Sequence, residues 1–309
     1  MGRCRVSSPV PIRPALFESA AQCERTGPCY PARSLKESAA AAMGIHDVHA
    51  HLTHPLLREH SDAVLDRAAK AGLSRIISNG LNPEDNAAVA ALARRNQLVL
   101  PAFGLYPVDA VLPEMLAMGM EYPREAGAWT GEEAVQWVNK HCDDAVAIGE
   151  IGLDGYWVPE ELWDRQEQLF RSLVQLAIDR DKPIIIHSRK RERRCLEILE
   201  EMGTRRANFH CFGGKVKLAR RVAEAGFYLS IPANARRSQS FTRMLETLPR
   251  SQLLLETDCP YLAPQRGEDN EPGNVAVTAD YAAELWDEDS DAVVRQLEEN
   301  FFRLFRVEP

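Results

Sequence analysis

From Gly44 onward the chain alternates between two hydrophobic periods. Apolar, β-branched runs fall at 45–49, 74–79, 98–104, 145–150, 183–187, 205–210, 226–231 and 252–256. Between them, apolar residues recur at helical spacing near 61–72, 84–96, 131–141, 160–181, 190–202, 214–225, 238–248 and 275–287. The first pattern predicts strands and the second helices. Strands alternating with helices predict a parallel sheet, because a parallel neighbour is reached only through a crossover. A last amphipathic stretch, about 290–305, carries Val293, Val294, Leu297, Phe301, Leu304 and Phe305 on one face. It predicts a helix packed on the sheet.

Residues 1–43 break this rhythm. Pro9, Pro11, Pro14, Gly27, Pro28 and Pro31 interrupt any regular element there. The domain expectation is therefore a poorly ordered extension over 1–43 and a barrel over 44–309. Met43 stands where such a barrel could start, so the extension could reflect an upstream start codon or a functional arm.

The placement of polar residues separates a closed barrel from an open sheet. Side chains able to bind a divalent metal follow many of the apolar runs: Asp47-Val-His49-Ala-His51, Gly149-Glu150, Ile186-His187, Phe209-His210 and Glu256-Thr-Asp258. Lesser marks stand at Gly104-Leu-Tyr106-Pro107 and at Arg266 to Pro272. An open sheet concentrates its site at one switch point. A (β/α)8 TIM barrel collects residues from many strand ends onto one face, and that fold is the expectation.

Composition narrows the function. The 309 residues suit one barrel plus an extension, and a 45% hydrophobic fraction supports a large core. No apolar run approaches the ~20 residues of a membrane span. The N-terminus lacks a secretory pattern, and seven cysteines without Cys-x-x-Cys pairs argue against a disulfide framework or zinc ribbon. These features lead to the expectation of a soluble cytoplasmic enzyme. A net charge of −8 excludes nucleic-acid binding through a general positive field. Any nucleic-acid substrate must be gripped locally, by metals and a few arginines.

The candidate ligands follow from strand geometry. His49 and His51 are two apart, so in a strand both point to one face and can share an ion. Asp47 has the same parity and could ligate or orient a histidine. His46, of opposite parity, is expected to pack. Glu150 closes the run Ala145-Val-Ala-Ile-Gly149; a carboxylate there needs a metal or a barrel arginine, and its two oxygens could bridge two ions. His187 and His210 each end a buried run. Asp258 is placed to ligate and to accept a proton from water. Asp154 could be a loop cap or a substrate contact. Four histidines and two carboxylates suffice for two ions about 3.5–4 Å apart, an arrangement suited to displacement at phosphorus. Phosphate-loop, dinucleotide and nucleophile-elbow motifs are missing from the sequence.

From about Met43 to Phe305 these residues resemble the TatD-type metal-dependent deoxyribonucleases of the amidohydrolase superfamily. The motifs that carry the resemblance are Asp47-Val-His-Ala-His-Leu52, Ile148-Gly-Glu-Ile-Gly-Leu-Asp154, Gln166-Glu with Phe170, Pro183-Ile-Ile-Ile-His-Ser-Arg189, His210-Cys-Phe-Gly213, Leu255-Glu-Thr-Asp-Cys-Pro-Tyr261 and Arg266-Gly-x-x-Asn270-Glu-Pro272. The resemblance implies one divalent ion on His49, His51, Glu150 and Asp258, and a second on Glu150, His187 and His210. Asp258 would be the general base, and Arg189, Arg266 and Asn270 would lie near substrate. The implied ions are magnesium or manganese in activity, with zinc possible. The implied reaction is phosphodiester hydrolysis of DNA, exonucleolytic on single-stranded ends. One position departs from the pattern: Tyr106 stands where the family usually has histidine, which bears on substrate choice rather than metal retention. Two alternatives share the same residues. One is ester or amide hydrolysis such as D-aminoacyl-tRNA deacylation. The other is a non-catalytic metal-binding subunit recruited to a protein partner through residues 1–43.

Overall fold

The computed structural model describes residues 44–308. The expectations for 1–43, including a partner-binding arm, lie outside the described residues. Eight strands run β1 (Ile45–Ala50), β2 (Leu73–Asn79), β3 (Val99–Phe103), β4 (Ala147–Asp154), β5 (Ile184–Arg189), β6 (Ala207–Phe209), β7 (Tyr228–Ile231) and β8 (Leu253–Leu255). Each pairs in parallel with its successor, in chain order. Just past β8 the two edges join: His51 N donates to Cys259 O at 2.9 Å, and Asp258 N donates to His49 O at 2.8 Å. The expected (β/α)8 barrel is therefore what forms.

The helices are α1 (Pro55–Arg58), α2 (Ser61–Lys70), α3 (Pro83–Arg95), α4 (Leu112–Ala117), α5 (Gly131–His141), α6 (Trp163–Asp179), α7 (Glu192–Glu201), α8 (Val216–Glu224), α9 (Gln239–Thr247), α10 (Val275–Trp286) and α11 (Ser290–Phe305). Local chemistry fixes several starts. Asn82 caps α3 through Asp85 N with Pro83 in the first turn, and Thr130 with Glu133 forms a capping box at α5. None of the helices of the described residues is long and apolar enough to cross a membrane.

Two cores result. The larger lies between strands and helices. The smaller gathers Val48, Ile77, Ala102, Ala147, Ile185, Tyr228 and Leu254, one from each of seven strands, against Phe301, Leu304 and Phe305 of α11. Residues from strands all around the sheet can meet only inside it, so α11 plugs one end of the barrel. The metal-ligating candidates lie within the later part of a strand, as Glu150 and His187 do, or just past its end, as His210 and Asp258 do, and so face the other end.

The structure departs from the sequence reading in two places. Helices α1 and α4 were not anticipated, because each is too short to show a period. β4 extends to Asp154 rather than ending at 150, since Ile151 and Leu153 are fully buried. Glu150 therefore sits inside a strand, at a register irregularity between Ile148 and Ile151.

Candidate metal centre

Glu150 is 2% exposed, and its two oxygens face different histidines. Oε1 lies 2.8 Å from His187 Nδ1 and 3.0 Å from His210 Nε2. Oε2 lies 3.5 Å from His49 Nε2 and 3.6 Å from His51 Nε2. Asp258 Oδ1 completes the second group at 3.7 Å from His49 Nε2 and 3.4 Å from His51 Nε2. Among the described residues, none of the ion pairs of Glu150 is with arginine or lysine, so the salt-bridge alternative does not apply.

Local structure explains the convergence. His49 lies in β1 and His51 just past its end on the same side, and their Nε2 atoms come within 3.2 Å. Asp258 follows β8 at φ +54°, a left-handed conformation uncommon outside glycine and typical of functional positions. Gly104 makes room for Glu150: a Cβ there would stand 2.5 Å from the backbone of Gly149 and Glu150.

The outer nitrogens of the histidines are held unequally. His51 Nδ1 lies 3.3 Å from Asn79 O, and His187 Nε2 lies 3.1 Å from Asp154 Oδ2. Such partners orient an imidazole and present its other nitrogen to an ion. His49 Nδ1 and His210 Nδ1 are buried without a hydrogen-bond partner, although Glu256 Oε1 is 3.9 Å from the latter.

Asp154 thus does more than the sequence suggested. Its Oδ1 caps the following turn, accepting from Tyr156 N and Trp157 N, while Oδ2 positions His187. Gln166 accepts from Asp154 N and donates to Pro107 O, which locks the end of β4 to the Tyr106 loop. Asp47 accepts from His49 N, Thr257 N and Thr257 Oγ1, so it ties β1 to the segment after β8 instead of reaching the cluster. His46 packs, stacked on Phe301 at 4.0 Å.

Electrostatics mark the cluster as a cation site. Burial favours the neutral form of Glu150, but the charge of His210 and the hydrogen bonds of His187, His210 and His49 hold it well below the usual carboxylate range. Burial pulls His51 and His187 down. Hydrogen bonds and charge from Asp258 and Glu150, and from Asp154 and Glu150 respectively, carry each up to about 9. Glu150, His187 and His210 form one set with ligand atoms within 4.8 Å of one another, and His49, His51 and Asp258 form another; imidazoles mixed with carboxylates in this way fit divalent ions.

The remaining candidates lie around this centre. Tyr106 sets its ring edge-on to His187, with centroids 4.9 Å apart. Arg189 Cζ stands 3.9 Å over the Tyr156 ring. Arg266 is exposed in the loop after β8. Asn270 is fully buried, and its Nδ2 donates to Thr257 O and Tyr261 O, so its donors are spent holding that loop. Arg124, in the loop between α4 and α5, brings its Cζ to 5.0 Å from the Tyr106 ring centroid; no motif or hydrophobic period in the sequence marks it.

The family model described as TatD related DNase matches residues 46–306. Human deoxyribonuclease TATDN3 is 30% identical over 270 residues, covering 86% of this chain and 96% of that protein. A Bacillus subtilis protein named as an uncharacterized metal-dependent hydrolase, YabD, is 31% identical over 269 residues, covering 85% of this chain and 99% of its own. The crystal structure of YjjV, a TatD homologue from Escherichia coli, superposes with a TM-score of 0.73 at 28% identity, covering 85% of this chain and 98% of that one.

Proposed function

The chain belongs to the TatD related DNase family, and from that membership we propose that it hydrolyses phosphodiester bonds of DNA at single-stranded ends with two divalent ions. The observation that carries the reading is the division of Glu150: one oxygen faces His187 and His210, the other His49 and His51. His49, His51, Glu150 and Asp258 would hold one ion, and Glu150, His187 and His210 the other. Ions so held would supply Lewis acidity toward a phosphodiester and toward water.

The chain's own groups do the rest. Asp258 is 14% exposed at its side chain, against 2% for Glu150, so it faces the opening. Burial would raise its pKa, but the hydrogen bond to His51 and the charges of His210 and His49 keep it below the ordinary carboxylate range. It is thus an ionised base, able to take the proton of an attacking water. Tyr106 stays a neutral phenol, since burial and the nearby Glu150 charge push its pKa well up. It can donate a hydrogen bond beside His187. Arg189 supplies positive charge at the rim.

The test is digestion of single- and double-stranded oligonucleotides, each labelled at one end, with an aminoacyl ester run in parallel. Wild type should shorten the single strand progressively. Glu150→Ala and Asp258→Asn should lose about a hundredfold or more of that rate while remaining folded. Unchanged turnover in either variant, or hydrolysis confined to the ester, contradicts the proposal.

A further inference from the structure

Arg124 sits in the loop between α4 and α5 and is held in place on the rim of the barrel mouth. Its Nη2 lies 2.8 Å from Asp109 Oδ1 and donates to Tyr122 Oη at 3.3 Å. Asp109 is 4% exposed and itself accepts from Asn82 Nδ2 at 3.0 Å. The guanidinium is therefore braced from below, yet 35% of the side chain remains exposed. Its carbon lies 5.0 Å from the Tyr106 ring, and that ring abuts His187. Its charge reaches Tyr261 and His54 as well. An ion pair that merely stapled the loop would not need to present a cation to the opening.

Arg124 also begins a continuous wall. Tyr122 stands edge-on to Trp157 at 5.4 Å, Trp157 edge-on to Tyr156 at 5.2 Å, and Arg189 covers Tyr156 at 3.9 Å. Trp157 and Tyr156 are 37% and 54% exposed. A row of aromatics, two of them exposed, with a guanidinium at each end offers both stacking faces for bases and partners for phosphates, the two features by which a single strand is held. A duplex hides its base faces and would leave the aromatics unused.

We propose that this wall is the track for the single strand, with Arg124 and Arg189 binding phosphates and Trp157 and Tyr156 stacking bases. The proposal rests on the nuclease reading above and adds the side of the mouth along which the strand lies. Tyr106 lies between Arg124 and His187, so the phosphate on Arg124 flanks the one at the metal centre. Asp109 is a positioning residue: it fixes the guanidinium so that little side-chain freedom is lost on binding.

The test is the binding of a labelled, phosphorothioate-linked oligothymidine, alone or annealed to its oligoadenosine complement, to the full-length protein, at fixed Mn2+ and increasing NaCl. Arg124→Gln should weaken binding and make log K against log [salt] about 0.7 shallower, the contribution of one single-strand phosphate contact. Arg124→Lys, which keeps the charge, should retain the wild-type slope. Trp157→Ala should weaken binding about fivefold or more without changing the slope. If Arg124→Gln unfolds because Asp109 is left unpaired, Asp109→Asn/Arg124→Gln removes both charges and should give the same shallower slope. Wild-type slopes in the glutamine variants, with wild type binding normally, overturn the track and leave the nuclease reading intact. No salt-dependent binding by wild type overturns both, and preference for the duplex overturns the track.

Discussion

A single hydrogen at position 104 lets β4 pass close enough to seat Glu150. Gly104→Ala would press a methyl group to 2.5 Å from backbone atoms of Gly149 and Glu150, where there is no flexible side chain to yield. The expected outcome is loss of metal affinity and at least a tenfold drop in turnover, since a misplacement of about 1 Å can cost a hundredfold; metal titration beside a rate assay checks it. Wild-type affinity would show that Glu150 tolerates displacement. Tyr106→His tests the neighbouring departure from the family pattern. It should change rate or substrate preference while leaving metal content at the wild-type value, because Tyr106 meets His187 through its ring edge; an additional bound metal equivalent would contradict that. At this scale much of the centre was legible. His49 and His51 fall on one side because they are two apart at the end of a strand, and His187, His210 and Asp258 each close an apolar run. The double use of Asp154 was not legible, because a turn cap and a histidine partner look alike in one dimension. The burial of Asn270 was hidden for the same reason: a polar residue in a loop motif does not announce whether it faces substrate or backbone.

Among elements, β1 and α11 show how the two ends of the barrel differ. The far end of β1 carries the histidine pair, while its near end places His46 against Phe301 of the plug. Burial, and secondarily the charge of Arg75, lower the His46 pKa to about 3. Glu298 lies 3.7 Å from His46 Nε2, too far for a hydrogen bond, and does not offset this. The folded state thus refuses a proton that the unfolded chain accepts near pH 6.5. The stability tied to His46 is complete above about pH 6.5 and is lost progressively as the pH falls toward 3. His46→Leu should therefore lose about 2 kcal/mol less than wild type between pH 7 and 4.5, measured by urea unfolding at both values. Equal losses would show that His46 is free to ionise in the fold. The helix spacing of α11 was readable because six apolar residues repeat over four turns. The extent of β4 was not, because a carboxylate inside a buried strand reads as the end of that strand until its partners are known.

At the scale of the whole molecule, the alternation of periods dictated the barrel. Eight consecutive parallel strands leave their C-terminal ends on one face, and the candidate ligands lie in or just past those ends. The rim was less accessible to sequence reading. Arg124, Asp109 and Tyr122 belong to a segment around α4 whose fold depends on contacts with the mouth, not on its own periodicity. The proposed reaction depends on Glu150 serving two cation sites at once. Titration of the full-length chain with Mn2+, with free ion followed by electron paramagnetic resonance, tests this directly in wild type and Glu150→Ala. Two ions should bind per wild-type chain, and the substitution should sharply weaken both affinities. One ion in wild type, or two still bound tightly in Glu150→Ala, would contradict it.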